Sequence, residues 1–332
     1  VNLSADEFRA LGHQLVDDIA AFLESLAQRQ VTPGQSPGEI RARINADASL
    51  PATGSAPEAL LAETAQLLFE LSVHNGHPRF WGYITSSAAP LGALADLLAA
   101  SVNANQGRWD VSPVATEIES QTIRWLAELV GFPTDCGGLM VSGGNMANFL
   151  AFIAARRARA EWDVRTQGLK CGERLLTCYG SADTHTWIEK AADVAGLGTD
   201  SIRWIDVDAE QRIDPVKLER RILDDKAAGH LPFIVVATAG TTATGAIDPL
   251  PEVAALCREH GIWFHVDGAY GAPAAALPDA PAALTALRDA DSLALDPHKW
   301  LYSPLEAGCV LVRDADRLAD AFSFQPSFYH VD

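Results

Sequence analysis

Lysine is nearly missing from this 332-residue chain: Lys170, Lys190, Lys217, Lys226 and Lys299 are all it has, among 25 basic residues facing 43 acidic ones. A formal charge of −18 leaves no basic face for a phosphate backbone, which excludes nucleic acid as a partner and disfavours an anionic membrane surface. No apolar run approaches the roughly 20 residues of a membrane span. The acidic, helix-patterned opening after Val1 does not read as a secretory leader, so a cytoplasmic location is expected. The five cysteines (Cys136, Cys171, Cys178, Cys257 and Cys309) are odd in number and contain no CxxC pair. Reduced thiols are therefore expected, with neither a disulfide framework nor a metal site. Phosphate-loop signatures are missing too: no GK[ST] follows a glycine turn, and no GxGxxG opens a helix.

What is present is enough apolar sequence, 48% of the chain, for a large buried core. Residues 4–30 carry Phe8, Leu11, Leu15, Ile19, Phe22, Leu23 and Leu26 at helical spacing behind a Ser4/Glu7 capping box. The Pro/Gly loop "VTPGQSPG", a short amphipathic "EIRARI" and a second helix over 57–73 follow. This segment, 1–75, has a stripe but little core of its own, so it is expected to pack on a partner subunit. From residue 76 to 332 the rhythm is βαβ. Strand-like runs "RLLTCYG", "IRWIDVD", "FIVVATAG", "IWFHVDGA", "DSLALD" and "GCVLVRD" surround helical stretches at 145–160, 184–195, 215–228 and 250–260. Strands apolar throughout and separated by helices predict an α/β domain with a mainly parallel sheet covered on both faces. Ligands in such folds gather at the carboxyl ends of strands.

Four groups of residues fall at those ends. In "MVSGGNMANFLAFIAARRA", Gly143, Gly144 and Asn145 open a long helix; the pair is either a tight turn or a place where backbone N–H groups meet an anion. His185 in "SADTHTWIEKAA" starts another helix and is either an ordinary surface histidine or a functional ring. Asp267 ends the strand "WFHVD", where a buried carboxylate needs hydrogen bonds or a cation; it either caps the following turn or faces a buried positive charge. Lys299, in "LALDPHKWLYSP", follows a strand aimed at the interior. A buried lysine without a partner costs several kcal/mol or loses its proton, and only the neutral amine attacks a carbonyl; a lysine whose stem packs while its head reaches water is the ordinary alternative. An anion cradle, a stacking ring, a carboxylate and an amine together outline pyridoxal 5′-phosphate.

On "DPHKW", "HVDGAY", "TAGTTATGAID", "THTWIEKA" and "SGGNMANFLA", in that family's order, the chain resembles the group II pyridoxal-phosphate-dependent amino-acid decarboxylases, which include the aromatic-amino-acid, histidine and glutamate enzymes. The resemblance implies the fold-type I transferase architecture, a homodimer with its active site at the interface, and an L-amino-acid substrate converted to amine and CO₂. It implies that Lys299 forms the internal aldimine, that Asp267 pairs with the pyridine nitrogen and that His185 stacks on the ring. It also implies that Gly143, Gly144, Asn145 and His298 hold the phosphate, that Thr242 and Ala269 line the ring, and that Asp248 supports the segment carrying Thr242. Tyr83, in "HPRFWGYITSS", matches an aromatic position of the family's substrate pocket.

Three departures qualify that picture. "FSFQPSFYHVD" puts Phe328 where the family's mobile loop usually has a proton-donating tyrosine, with Tyr329 one residue on. Decarboxylation is expected, with aldehyde synthesis as the alternative that phenylalanine implies, and a non-catalytic cofactor-binding paralogue as a second. The family continues into a small C-terminal domain, so the chain is expected to stop inside the loop. Gly107, beside Trp109, replaces a bulky aromatic of the aromatic-specific enzymes, so an aromatic substrate is not assigned.

Overall fold

A computed structural model, which describes residues 3–169 and 174–324, divides into two compact units, Val1–Ser87 and Ala88–Asp332. In the first, α1 (Ala5–Ser25) begins with the expected capping box, Ser4 Oγ accepting from Glu7 N–H while the Glu7 carboxylate accepts from Ser4 N–H. It ends at Ser25 in a 3-10 turn, Leu26–Gln28, short of the expected residue 30. α2 (Pro37–Arg43) and α3 (Pro57–Leu71) follow, and Phe22 of α1 stacks on Phe69 of α3 with ring centres 4.6 Å apart. The three helices bury little: Ala65 is the one buried helical residue among them.

The second unit opens with α4 (Pro90–Val102) and α5 (Pro113–Leu129), then β1 (Gly137–Val141), α6 (Gly144–Arg159) and α7 (Val164–Gln167). β2 (Leu176–Ser181), α8 (Trp187–Val194), β3 (Ile202–Ile205), α9 (Pro215–Ala227), β4 (Leu231–Thr238) and α10 (Leu250–His260) come next. β5 (Trp263–Asp267), β6 (Ser292–Leu295), β7 (Gly308–Val312) and α11 (Ala315–Phe322) complete it. The strands form one seven-stranded sheet in the order β1-β7-β6-β5-β4-β2-β3, with only β7 antiparallel to its neighbours. The sheet is buried on both sides, which explains the unbroken apolar runs: Val235 and Ala237 face the α5–α9–α10 layer, while Ile234 and Val236 face α6, α8 and α11. The six expected strands are all present. β1 is a seventh strand, beyond those expected; "GGLMV" carries little strand signal, with two glycines and a single β-branched residue.

No helix among the described residues is long and apolar enough to cross a membrane. Cys178, Cys257 and Cys309 are buried free thiols and Cys136 is a half-buried one. Cys171 lies outside the described residues.

Candidate active site

Parallel pairing sets the site. Asp267, the last residue of β5, lies beside Ala294 of β6, and β6 ends one residue later, so the Asp267 carboxylate and the Lys299 turn emerge from adjacent strands. Asp267 is 5% exposed. Its Oδ1 accepts from Ala269 N–H at 3.2 Å and its Oδ2 from the indole N–H of Trp187 at 2.8 Å, so it serves as a turn cap and as a buried acceptor at once.

Lys299 sits in the turn after β6, and its side chain is 21% exposed. Lys190, Lys217 and Lys226 are exposed, and Lys170 lies outside the described residues. The Lys299 ammonium stands 3.0 Å from Asp296 Oδ2, so the partner that a half-buried amine requires is the carboxylate three residues earlier. Asp296 is 2% exposed, and burial raises its pKa against the opposing pull of Lys299. His298 Nδ1 accepts from Ala307 N–H at 2.9 Å, which leaves the ring proton on Nε2, 3.6 Å from the same Asp296 oxygen.

The cradle comes from the β1–α6 junction. Gly143 caps α6 with φ 141, a conformation open to glycine. A Cβ on Gly143 would lie 3.3 Å from His298 Cε1; one on Gly144 would lie 2.8 Å from Asp296 Oδ2 and 3.2 Å from Ala269 Cβ. The glycines, Ala269, Asp296 and His298 therefore meet in one place, at the N-terminus of a 16-residue helix. Gly308 of β7 closes the floor: a Cβ there would stand 2.5 Å from Gly143 backbone atoms.

His185 is exposed in the turn leading into α8, and its Nδ1 accepts from Trp187 N–H at 3.3 Å. Thr242 is exposed in the turn after β4, whereas Thr241 beside it is buried and pairs with the Thr244 hydroxyl at 2.8 Å. Asp248 anchors the base of that turn, accepting from Thr238 N–H and Ile213 N–H at 2.7 Å each. Burial pushes the Asp248 carboxyl up to about 6. Tyr83 belongs to the first unit, exposed and in a left-handed conformation with φ 60. Phe328 and Tyr329 lie outside the described residues.

Sequence reasoning did not assign Trp187 or Asp296. Asp296 carried a signal, the i, i+3 spacing to Lys299 in a chain with few lysines. Trp187 carried none, because its bond to Asp267 joins positions 80 residues apart.

The donor set fits a phosphorylated pyridine aldehyde: a glycine cradle at a helix N-terminus with His298 beside it, the buried Asp267 carboxylate, the exposed His185 ring and the Lys299 amine. Comparison with known proteins agrees. The pyridoxal-dependent decarboxylase conserved domain matches residues 37–332. An aromatic-L-amino-acid decarboxylase of Bacillus atrophaeus is 37% identical over 99% of this chain and 66% of its own length. A cysteine sulfinic acid decarboxylase of Mus musculus is 34% identical over 92% of this chain and 60% of its own. The chain thus spans about two thirds or less of these curated relatives. The crystal structure of an Oryza sativa TDC with PLP and tryptamine superposes with a TM-score of 0.91 at 29% identity, covering 100% of this chain and 69% of that one. The fold, the site and the match along most of the sequence place this chain in the pyridoxal-dependent decarboxylase family.

Proposed function

We propose that the chain is the cofactor-binding part of a pyridoxal 5′-phosphate-dependent decarboxylase that converts an L-amino acid to its amine and CO₂. One observation carries the reading: Lys299, Asp267 and the Gly143–Gly144 cradle converge at the carboxyl edge of the sheet, joined through Ala269, Asp296 and His298. Gly143, Gly144, Asn145 and the His298 Nε2–H would hold the phosphate, and Lys299 would hold the aldehyde. Ala269, Thr242 and His185 would bound the ring. When bound, the cofactor supplies a protonated pyridine that draws in the electrons released as CO₂ departs. Asp267 would keep a proton on that ring nitrogen, since a buried carboxylate favours a neighbouring cation. Asp296 holds the Lys299 ammonium whenever its Nζ is not bonded elsewhere. Tyr329 would deliver a proton to the product.

A second reading is favoured by Phe328, which stands at the loop position where tyrosine is usual in the resembled family. It predicts that dioxygen and water are consumed and that aldehyde, ammonia and peroxide form in place of amine. A panel of aromatic, acidic, basic and sulfinic amino acids, with products identified by mass, decides between them. CO₂ with a stoichiometric amine supports decarboxylation; CO₂ with aldehyde and peroxide supports the second reading. No CO₂ from any substrate with cofactor-loaded protein favours a non-catalytic paralogue.

We also propose a cytoplasmic homodimer. α4 buries no residue, and Leu91, Leu94, Leu97, Leu98 and Val102 are all exposed, the least of them, Leu97, at 49%. In α1, Phe8, Val16 and Leu23 are likewise exposed. Apolar area of this extent, on two units, is the kind that association covers.

A further inference from the structure

We propose that Trp187 is a positioning residue of this cofactor site, its indole N–H fixing the Asp267 carboxylate and its backbone N–H fixing the His185 ring. The inference rests on the cofactor reading above and extends it to a residue that neither the resemblance nor the relatives assign.

Trp187 opens α8 and is 2% exposed. Its indole is wedged edge-on between Phe152, 6.3 Å away, and His265, 5.8 Å away, so it cannot turn without moving the core. From that fixed seat Nε1–H reaches Asp267 Oδ2 at 2.8 Å, while Ala269 N–H holds Oδ1 at 3.2 Å. Two donors on two oxygens set the plane of the carboxylate. Each oxygen accepts more than one bond, so acceptor capacity remains for a protonated ring nitrogen. The same residue's main-chain N–H occupies His185 Nδ1, which puts the ring's proton on Nε2.

The floor beneath explains why this donor is an indole. His265, two residues before Asp267, points to the same face of the sheet. Its Nε2 lies 2.7 Å from Asn148 Oδ1, which only accepts, so Nε2 carries the proton. Ser292 Oγ accepts from the Trp263 indole at 2.8 Å and gives its own hydrogen to His265 Nδ1 at 2.8 Å. Both His265 nitrogens are thus occupied by Ser292 and Asn148, and orienting Asp267 falls to Trp187 and the Ala269 amide. A neutral donor orients the carboxylate without neutralising it, which leaves its charge for the cofactor. An arginine or lysine in that seat would compete with the ring nitrogen.

The test compares Trp187→Phe, which removes the N–H, with Phe233→Leu, which loosens the same core but leaves the indole and the Phe152 and His265 rings that seat it. Cofactor affinity and the pH midpoint of the bound cofactor's absorbance change are measured for both. Trp187→Phe is expected to weaken binding roughly tenfold, the effect of one hydrogen bond to a charged group, and to move the midpoint. Phe233→Leu is expected to leave both at wild-type values. Wild-type behaviour in Trp187→Phe, or the same changes in Phe233→Leu, overturns the proposal. In cofactor-free protein, the ¹⁵N-indole resonance lost in Trp187→Phe is expected to shift in Asp267→Asn; an unmoved resonance overturns the Trp187–Asp267 bond by itself. Wild-type protein that takes up no cofactor refutes the underlying reading instead, and the resonance still decides the bond.

Discussion

Single side chains decide the chemistry, and several were readable as letters because their types are rare or costly where they stand. Lys299 drew notice as one of five lysines at the end of an apolar strand, and Asp267 as a carboxylate ending another. The groups that hold them did not stand out, since a tryptophan before an alanine-rich helix reads as core and Asp296 reads as part of a turn. His265 offers a test at this scale. Burial lowers its pKa from 6.5 to about 4, against the pull of Asp267. The unfolded chain binds a proton at His265 below about pH 6.5 that the folded protein refuses until near pH 4, so the contribution is intact above 6.5 and lost as pH falls through that window. The loss amounts to about 3 kcal/mol. Urea unfolding of wild type and His265→Gln between pH 7 and 4 is expected to show the wild type losing stability faster on acidification. Parallel profiles would contradict the assigned burial.

At the scale of elements, the alternation of strands and helices was legible because parallel strands buried on both faces leave long apolar runs. β1 and α4 are not among the expected elements, because "GGLMV" and "PLGALADLLAASV" lack the periodicity that marks one buried face. The glycines of β1–α6 gain their meaning from a strand far along the chain. Gly308 of β7 runs so close to Gly143 that an added Cβ would stand 2.5 Å from its backbone. Gly308→Ala is therefore expected to cost about 1–3 kcal/mol and to weaken cofactor binding with it, because the cradle must shift to admit the methyl group. Denaturant unfolding and cofactor titration measure both. Wild-type values in each would show that the β7–cradle contact does not set the site.

For the whole molecule, the homodimer proposed above needs an apolar surface, and the exposed leucines of α4 are the surface proposed for it. Leu98 is 66% exposed, so Leu98→Glu is expected to change the stability of an isolated chain by no more than about 0.5 kcal/mol. In a dimer that covers α4, the same change buries a charge and drives the subunits apart. Sedimentation is expected to show a wild-type dimer and a Leu98→Glu monomer; a wild-type monomer, or two identical dimers, contradicts this surface assignment. The central claim is narrower: the chain's one half-buried lysine among those described is the amine that captures the cofactor. Borohydride reduction of the cofactor-loaded protein, followed by peptide mapping, tests it most directly. The account predicts a single pyridoxyl label, on Lys299; a label on Lys170, Lys190, Lys217 or Lys226, or none at all, would contradict it.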